Sequence, residues 1–172
     1  MTTQEVKRKL AAILSADVKG YSRLMGEDEI GTIGTLNAYK QVMAGLIQDH
    51  HGRVVDAPGD NVLAEFGSVV DAVQCAVEIQ KELKTRNAVL PENRRMEFRM
   101  GVNLGDVIED GEQILGEGVN IAARLESLSE AGGIWMSGTA FDQIKNKLNL
   151  GYKYLGSERL RTSQTPYESI EF

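Results

Sequence analysis

The order of hydrophobic patterns along this chain predicts an α+β fold, a ferredoxin-like α/β sandwich with a largely antiparallel sheet. Short apolar or alternating segments typical of strands are interspersed with longer segments of helical periodicity. Turns rich in glycine, proline, asparagine and aspartate separate neighbouring strand segments, as hairpins require. No internal repeat or low-complexity linker interrupts this order, which indicates one domain over residues 1–172.

A strand and a long helix begin the predicted fold. The apolar run Leu10–Ala16 is typical of a buried strand, and Asp17 ends it. We expect residues 1–8 to form a flexible lead-in to this strand. Apolar side chains recur at helical spacing across residues 28–48, which predicts an amphipathic helix that Gly52 ends.

A hairpin and a second helix follow. Arg53–Ala57 and Val62–Phe66 are predicted strands, and the breakers of Pro58–Asn61 join them in a tight turn. Ser68 and Asp71 then have the spacing of a helix N-cap and its N3 partner. The sequence therefore predicts that a second amphipathic helix begins directly after the hairpin.

The second half of the chain predicts further strands and two shorter helices. The expected strands are Phe98–Val107, Gln113–Leu115, Ile134–Ser137, Tyr152–Leu160 and Pro166–Phe172. The expected helices are Gly116–Leu128 and Thr139–Leu148.

Composition excludes several classes of function. The net charge of −6 argues against nucleic acid as the main partner, because an acidic surface repels its phosphates. No run approaches the roughly 20 apolar residues of a membrane helix, so we expect no membrane contact within these residues. The single cysteine, Cys75, rules out a disulfide within the chain and favours a reducing, cytoplasmic location.

Two aspartates mark a candidate metal site. Asp17 ends the first predicted strand, and Asp60 lies at the tip of the predicted hairpin. In a ferredoxin-like sheet these strands are neighbours, so both carboxylates are expected at one edge. Paired carboxylates suit Mg²⁺ or Mn²⁺, which take further ligands from water and phosphates. The alternative is two acidic turn residues without a shared role, since aspartate is common in turns.

A polar pair on the predicted helix 116–128 is a second candidate. Asn120 and Arg124 are four residues apart and therefore share one face of the helix. An arginine there can stabilise negative charge that develops on a phosphate. The alternative is an ordinary solvated helix face.

Four segments resemble motifs of class III adenylyl and guanylyl cyclases. Ser15–Ser22 resembles their first metal motif, and Arg53–Phe66 their second metal motif with its hairpin. Met100–Gly105 is similar to the central strand of these enzymes, and Gly116–Leu125 to their transition-state helix. The resemblance runs from Lys9 to Phe172, and the four motifs occur in the family's order.

The resemblance implies a homodimer with active sites at the subunit interface and a nucleoside triphosphate as substrate. It implies that Asp17 and Asp60 bind two metal ions, Mg²⁺ or Mn²⁺, with the Val18 carbonyl as a further ligand. Backbone amides of Lys19, Gly20 and Tyr21 would hold phosphates.

The same resemblance assigns the groups that act on the substrate. Asn120 would orient the ribose, and Arg124 of the partner chain would stabilise charge on the phosphate. Arg161 falls near the position of a phosphate-binding lysine in the family. The implied reaction is cyclisation, in which the ribose 3′-hydroxyl attacks the α-phosphorus and pyrophosphate leaves.

The residues expected to contact the base depart from the adenylyl cyclase pattern. Asp56 occupies the position of the usual adenine-binding lysine, and Gln113 that of its partner. Three hypotheses therefore stay open: a cyclase that uses ATP with a rebuilt pocket, a cyclase with altered base choice, and a catalytically weak regulatory domain that binds nucleotide or dimerises. Similar domains are often fused to sensor, repeat or membrane modules, so two alternatives stay open: an N-terminal catalytic domain of a longer protein and a stand-alone domain.

Overall fold

The computed structural model describes residues 6–160 and 163–171, whose strands form one sheet with helices on both faces. The strands are β1 Lys7–Val18, β2 Arg53–Asp56, β3 Val62–Phe66, β4 Phe98–Asp110, β5 Gln113–Leu115, β6 Ile134–Ser137, β7 Gly151–Leu160 and β8 Ser163–Glu171. The helices are α1 Tyr21–Glu27, α2 Glu29–Asp49, α3 Val69–Asn87, α4 Glu117–Leu128 and α5 Gly138–Ile144. Within these residues, no helix combines the length and the apolar composition that crossing a membrane requires.

The sheet has the predicted, largely antiparallel character. Its strand order is β2-β3-β1-β4-β6-β8-β7, and the short β5 pairs with the end of β4. Only β4 and β6 run parallel among the described pairs. The two longest partners, β1 and β4, pair from Lys7 opposite Glu109 to Val18 opposite Phe98. These two central strands therefore form the framework on which the other strands and the helices are positioned.

Side-chain alternation divides the sheet into two apolar faces. The larger core lies between the sheet and helices α2, α3 and α5, and it includes Leu14, Met43, Phe66, Ile79 and Met100. The opposite face packs against α4 through a smaller cluster that includes Ile13, Val107 and Ala122. In β1 the odd-numbered side chains, Asp17 among them, consequently point to the α4 face.

Helix α4 lies directly on the backbone of β4 because that strand carries glycine at the contact. A Cβ atom at Gly101 would lie 2.2 Å from the Ala122 carbonyl oxygen and 2.5 Å from the Glu126 nitrogen. The buried Asn103 side chain reinforces the contact, since its amide donates to the Gly118 carbonyl at 2.9 Å. This close approach sets the height of α4 above the central strands.

Several element boundaries differ from the sequence prediction. β1 begins at Lys7, inside the segment 1–8 expected as a lead-in, because it pairs with β4 beyond its apolar positions. The turn after Asp17 continues as the separate helix α1, and the Asp28 carboxylate caps the start of α2 by accepting the Gly31 N–H at 3.0 Å. α5 ends at Ile144, not at residue 148. The expected strand end at 172 lies outside the described residues.

Helix α3 confirms the predicted cap and contains the cysteine. The Asp71 N–H donates to the Ser68 hydroxyl at 3.1 Å, so the N-cap is as expected. Cys75 is fully buried in the larger core, and burial raises the pKa of its thiol to about 12. A protonated, inaccessible thiol is a packing group here and not a nucleophile.

Substituting Gly101 tests how tightly α4 lies against the sheet. Gly101→Ala forces backbone atoms of α4 away from β4, so we expect the free energy of unfolding to fall by at least about 2 kcal/mol. Gly45→Ala is the matched control, because Gly45 is exposed in α2 and nothing lies within 4 Å of an added Cβ. It is expected to stabilise the chain by about 0.5–1 kcal/mol. Urea denaturation measures both, and an unchanged Gly101→Ala stability would contradict the direct contact.

Candidate active site at the end of the central strands

The structure brings the two predicted metal-binding aspartates together. The Val18 N–H donates to the Asp60 carboxylate at 3.1 Å, and Asp17 is the residue directly before Val18. One peptide unit at the end of β1 therefore lies between the two carboxylates. The hairpin β2–β3 places Asp60 there because β3 is the antiparallel neighbour of β1.

Arg99 of β4 holds the Asp17 carboxylate. These two residues lie opposite each other in the β1–β4 register, and the Arg99 Nε donates to Asp17 Oδ1 at 2.8 Å. The Arg99 Nη2 donates to the second oxygen, so the pair is bidentate. This hydrogen bonding raises the pKa of Arg99 above its ordinary value. A further bond of 3.2 Å joins Arg99 to the Ser127 carbonyl of α4.

A third carboxyl group, Glu126 of α4, lies beside this pair. Its side chain is buried, and its carboxyl oxygen is 4.0 Å from the Arg99 guanidinium. Burial, followed by the neighbouring charge of Asp17, raises the pKa of Glu126 to about 7. The Ser15 hydroxyl also donates to Glu126, at 3.4 Å. Among the described residues, Arg99 is thus the arginine that lies beside the Asp17 and Glu126 carboxyl groups, an arrangement that favours an additional cation.

The donor set fits a hard divalent cation. Asp17 and Asp60 supply carboxylate oxygens, and each such oxygen has more than one lone pair, so the Arg99 bonds leave Asp17 further acceptor positions. Within the part of the chain that the structure describes, no three histidine, cysteine, aspartate or glutamate side chains form a ready-made metal cluster. Two carboxylates suffice for Mg²⁺ or Mn²⁺ when water and substrate phosphates complete the coordination.

The turn after β1 corrects one expectation about phosphate binding. The Lys19 N–H donates to the Glu97 carbonyl at 2.9 Å, so this amide is not free to bind a phosphate. Gly20 adopts a left-handed conformation, φ +71°, at the N-cap of α1, and no side chain caps that end. The first amides of the helix, including that of Tyr21, therefore lack an intrahelical acceptor.

Asn120 and Arg124 lie on α4 but turn away from Asp17 of the same chain. Asn120 is exposed and Arg124 is half-buried. At about 100° per residue, both lie roughly 120–160° around the helix from Glu126, whose side chain faces Asp17. Asn120 and Arg124 therefore lie on a different face of α4 from the one that meets Asp17.

The two residues expected at the base both lie at the surface. A bulge in β2 places Asp56 opposite Leu63, which belongs to the α4 face of the sheet. The Asp56 carboxylate accepts the N–H of Ala57 at 2.9 Å and is otherwise exposed, so it is not a buried unpaired charge. Gln113 is exposed on β5, which lies in contact with β2. Arg161 lies outside the described residues.

Comparison with known proteins identifies the family. Residues 4–165 match the family described as the adenylate and guanylate cyclase catalytic domain. The chain belongs to this family. It is also 40% identical, over 96% of its length, to a Rhizobium meliloti protein provisionally named adenylate cyclase 3. The cyclase domain spans 28% of the length of that relative.

Solved structures agree with this family assignment. The adenylate/guanylate cyclase/hydrolase of Silicibacter pomeroyi is 31% identical with a TM-score of 0.90, over 96% of this chain and 98% of the other. An adenylyl cyclase of P. aeruginosa shares the fold, with 24% identity and a TM-score of 0.85 over 98% and 96% of the two chains. The class III nucleotidyl cyclase fold expected from the sequence is therefore confirmed.

Sequence reasoning missed two members of the cyclase domain's acidic cluster. Arg99 is the one cation in the sequence of β4, and it stands opposite Asp17 once the β1–β4 register is known. That cation near the start of the strand was the available signal. Glu126 gave none, because a glutamate on an amphipathic helix has the same pattern whether it is solvated or buried.

Removing the arginine tests the charge balance of this cluster. Arg99→Gln leaves the Asp17 and Glu126 carboxyl groups side by side without a cation, so we expect the free energy of unfolding to fall by about 2 kcal/mol or more at neutral pH. Urea denaturation in the presence of a metal chelator gives the value.

Arg53→Gln is the matched control, because Arg53 also pairs across the sheet with a carboxylate, that of Glu65. Arg53 is 41% exposed, and Glu65 keeps its second partner Lys9, so a change within about 1 kcal/mol is expected. Equal losses in both variants would contradict a special role of Arg99 in the cluster.

Proposed function

We propose that this domain is a nucleotidyl cyclase that converts a nucleoside triphosphate, ATP as the first candidate, into the 3′,5′-cyclic monophosphate and pyrophosphate. The observation that carries the proposal is the convergence of Asp17 and Asp60 on the Val18 peptide, in a chain of this family. The product would serve as a cytoplasmic signal. Since the relative is much longer than this chain, a regulatory module in the same protein is part of the proposal.

The carboxylate half-site would bind the metal ions and the triphosphate. Asp17, Asp60 and the Val18 carbonyl would hold two Mg²⁺ or Mn²⁺ ions, which, when bound, favour the deprotonated 3′-hydroxyl and neutralise the phosphates. Arg99 orients Asp17 by binding both of its oxygens. The amides of Gly20 and Tyr21 would contact phosphate oxygens.

The second half-site would come from another copy of the chain. Asn120 and Arg124 face away from their own Asp17, so they complete a site only when a partner chain presents them to the carboxylates. A two-fold homodimer does this twice, because each chain gives one half-site to each active site. Asn120 would orient the ribose, and Arg124 would stabilise charge on the α-phosphate as the bond to pyrophosphate breaks. Arg161 is proposed as a further phosphate contact.

The base would lie against Asp56 and Gln113. Both side chains are exposed, on β2 and β5, which are in contact, and Asp56 keeps one carboxylate oxygen free of the Ala57 amide. A carboxylate accepts hydrogen bonds and does not donate them, so it favours a base edge that presents N–H groups. The amide of Gln113 can donate and accept. This pair therefore accommodates an amino group on the base, which adenine, guanine and cytosine all carry.

A substrate panel tests the proposed activity. The protein is incubated with Mn²⁺ and, separately, with ATP, GTP, CTP and UTP, and mass spectrometry identifies the products. We expect a cyclic monophosphate, with ATP preferred. No product from any nucleotide, with a dimer confirmed by sedimentation, would replace the proposal by a nucleotide-binding or purely dimerising regulatory domain.

Mixing two inactive variants tests the shared site. Asp17→Ala and Arg124→Ala are each expected to abolish turnover, since each removes one half-site from both active sites of a homodimer. An equal mixture forms heterodimers with one intact site, so we expect about a quarter of the wild-type specific activity to return. Asp17→Ala mixed with Asp60→Ala is the matched control and stays inactive, because both changes fall in the same half-site. Recovery in neither mixture, despite demonstrated subunit exchange, would contradict a site built from two chains.

A further inference from the structure

We propose that Lys40 is a positioning residue of this active site, which fixes the hairpin that carries both the metal-binding Asp60 and the base-facing Asp56. The Lys40 ammonium donates to the Ala57 carbonyl at 2.8 Å and also to the Gly59 carbonyl. These two contacts, here called the Lys40 clamp, join α2 to the turn between β2 and β3. The inference deepens the proposed cyclase function and rests on it for the roles of the two aspartates.

The turn follows an irregular part of the β2–β3 ladder, so contacts outside the ladder help to fix it. A bulge breaks the β2–β3 register between Val54 and Asp56. Past the bulge, Pro58 has no N–H to donate, and Gly59 takes a positive φ of +56°. The turn's own backbone bond, from the Asn61 N–H to the Pro58 carbonyl at 2.9 Å, closes only its far side. Strand pairing therefore ends at Asp56 opposite Leu63, directly after the bulge, and leaves residues 57–59 to be held by other contacts.

Helix α2 is a rigid support for the clamp. Lys40 follows Tyr39, which is buried and whose hydroxyl donates to Asn87 of α3 at 2.7 Å. Met43 and Ile47 of the same helix are fully buried in the larger core. The Lys40 stem consequently extends from a packed helix, so its ammonium stays where the two carbonyls can reach it.

The Lys40 clamp fixes the backbone between Asp56 and Asp60, and so the spacing between their carboxylates. One oxygen of the Asp56 carboxylate accepts the Ala57 N–H. The Ala57 carbonyl in turn accepts a hydrogen bond from the Lys40 ammonium. Gly59, the second clamped residue, directly precedes Asp60, whose carboxylate binds the Val18 N–H. Lys40 thus holds the backbone directly before Asp60, and the Val18 N–H holds the Asp60 carboxylate. Loss of the clamp frees Asp60 to move relative to Asp17 without disturbing the core.

Two measurements on Lys40→Met test the proposal, because methionine keeps an unbranched side chain and removes all donors. Hydrogen–deuterium exchange of the segment 57–61 is measured first, without metal or nucleotide. Mn²⁺ affinity is then measured by electron paramagnetic resonance in the presence of 3′-deoxy-ATP, which lacks the attacking hydroxyl. We expect faster exchange in that segment alone and about tenfold weaker Mn²⁺ binding.

Lys40→Arg and Lys145→Met are the matched controls. Arginine retains donors for the two carbonyls and is expected to restore most of the Mn²⁺ affinity. Lys145 lies at the end of α5 and pairs with Asp142 at 3.3 Å, so its loss is expected to change neither measurement. In turnover assays, Lys40→Met is expected to shift the Mn²⁺ requirement upward more than it lowers kcat at saturating metal.

The outcomes separate this inference from the proposed function. Unchanged exchange in the segment 57–61 of Lys40→Met would overturn the clamp, whether or not the domain makes a cyclic nucleotide. Faster exchange with unchanged Mn²⁺ affinity would overturn the positioning of Asp60. A lower melting temperature with exchange raised evenly across the sheet would also overturn it, since Lys40 would then serve general stability. Wild-type protein that makes no product, with the clamp effects present, counts against the cyclase proposal alone.

Discussion

The direct contact between α4 and the backbone of β4 is the constraint on which the rest of the site depends. Gly101 has no side chain to separate the two elements, so the helix lies with its own backbone against the strand. At that height, Glu126 reaches the cluster around Asp17 and Arg99, and the far side of the helix carries Asn120 and Arg124 outward. A single close approach therefore turns one face of α4 toward the carboxylates and the face with Asn120 and Arg124 away from them.

The cluster at the end of β1 is arranged around a deficit of positive charge. Asp17 lies beside Glu126, Asp60 binds the Val18 N–H, and Arg99 is the guanidinium that the described structure places beside Asp17. Placing acidic groups close together raises the free energy of the protein unless cations or protons compensate. Arg99 compensates Asp17 directly, and the pKa of Glu126 is raised, first by its burial and then by the neighbouring charge of Asp17. Under the proposed function, divalent ions that arrive with the triphosphate would supply the further positive charge.

The sequence predicted those parts of the fold and site that depend on periodicity and register. Alternation and turn residues located the hairpin β2–β3, and its place beside β1 then brought Asp60 to Asp17. The start of β1 and the separate helix α1 were not predicted, because backbone pairing and capping set those boundaries. The Lys19 amide was wrongly expected to be free, since its acceptor on Glu97 is distant in sequence. Lys40 has the pattern of any solvated lysine, and only the folded turn shows its two acceptors.

The opposed faces of α4 have a consequence for how the output of such a domain depends on abundance. Under the proposed assembly, a chain that turns Asn120 and Arg124 away from its own Asp17 would have no complete site in isolation, and turnover per chain would rise with local concentration. A tether that holds two copies together raises their effective concentration to about millimolar without adding any contact. Release of that tether would lower the activity by separating the chains, without any change in the residues of the site. The distance between two copies of the chain would then control activity, and a fused module could change that distance without contacting the nucleotide.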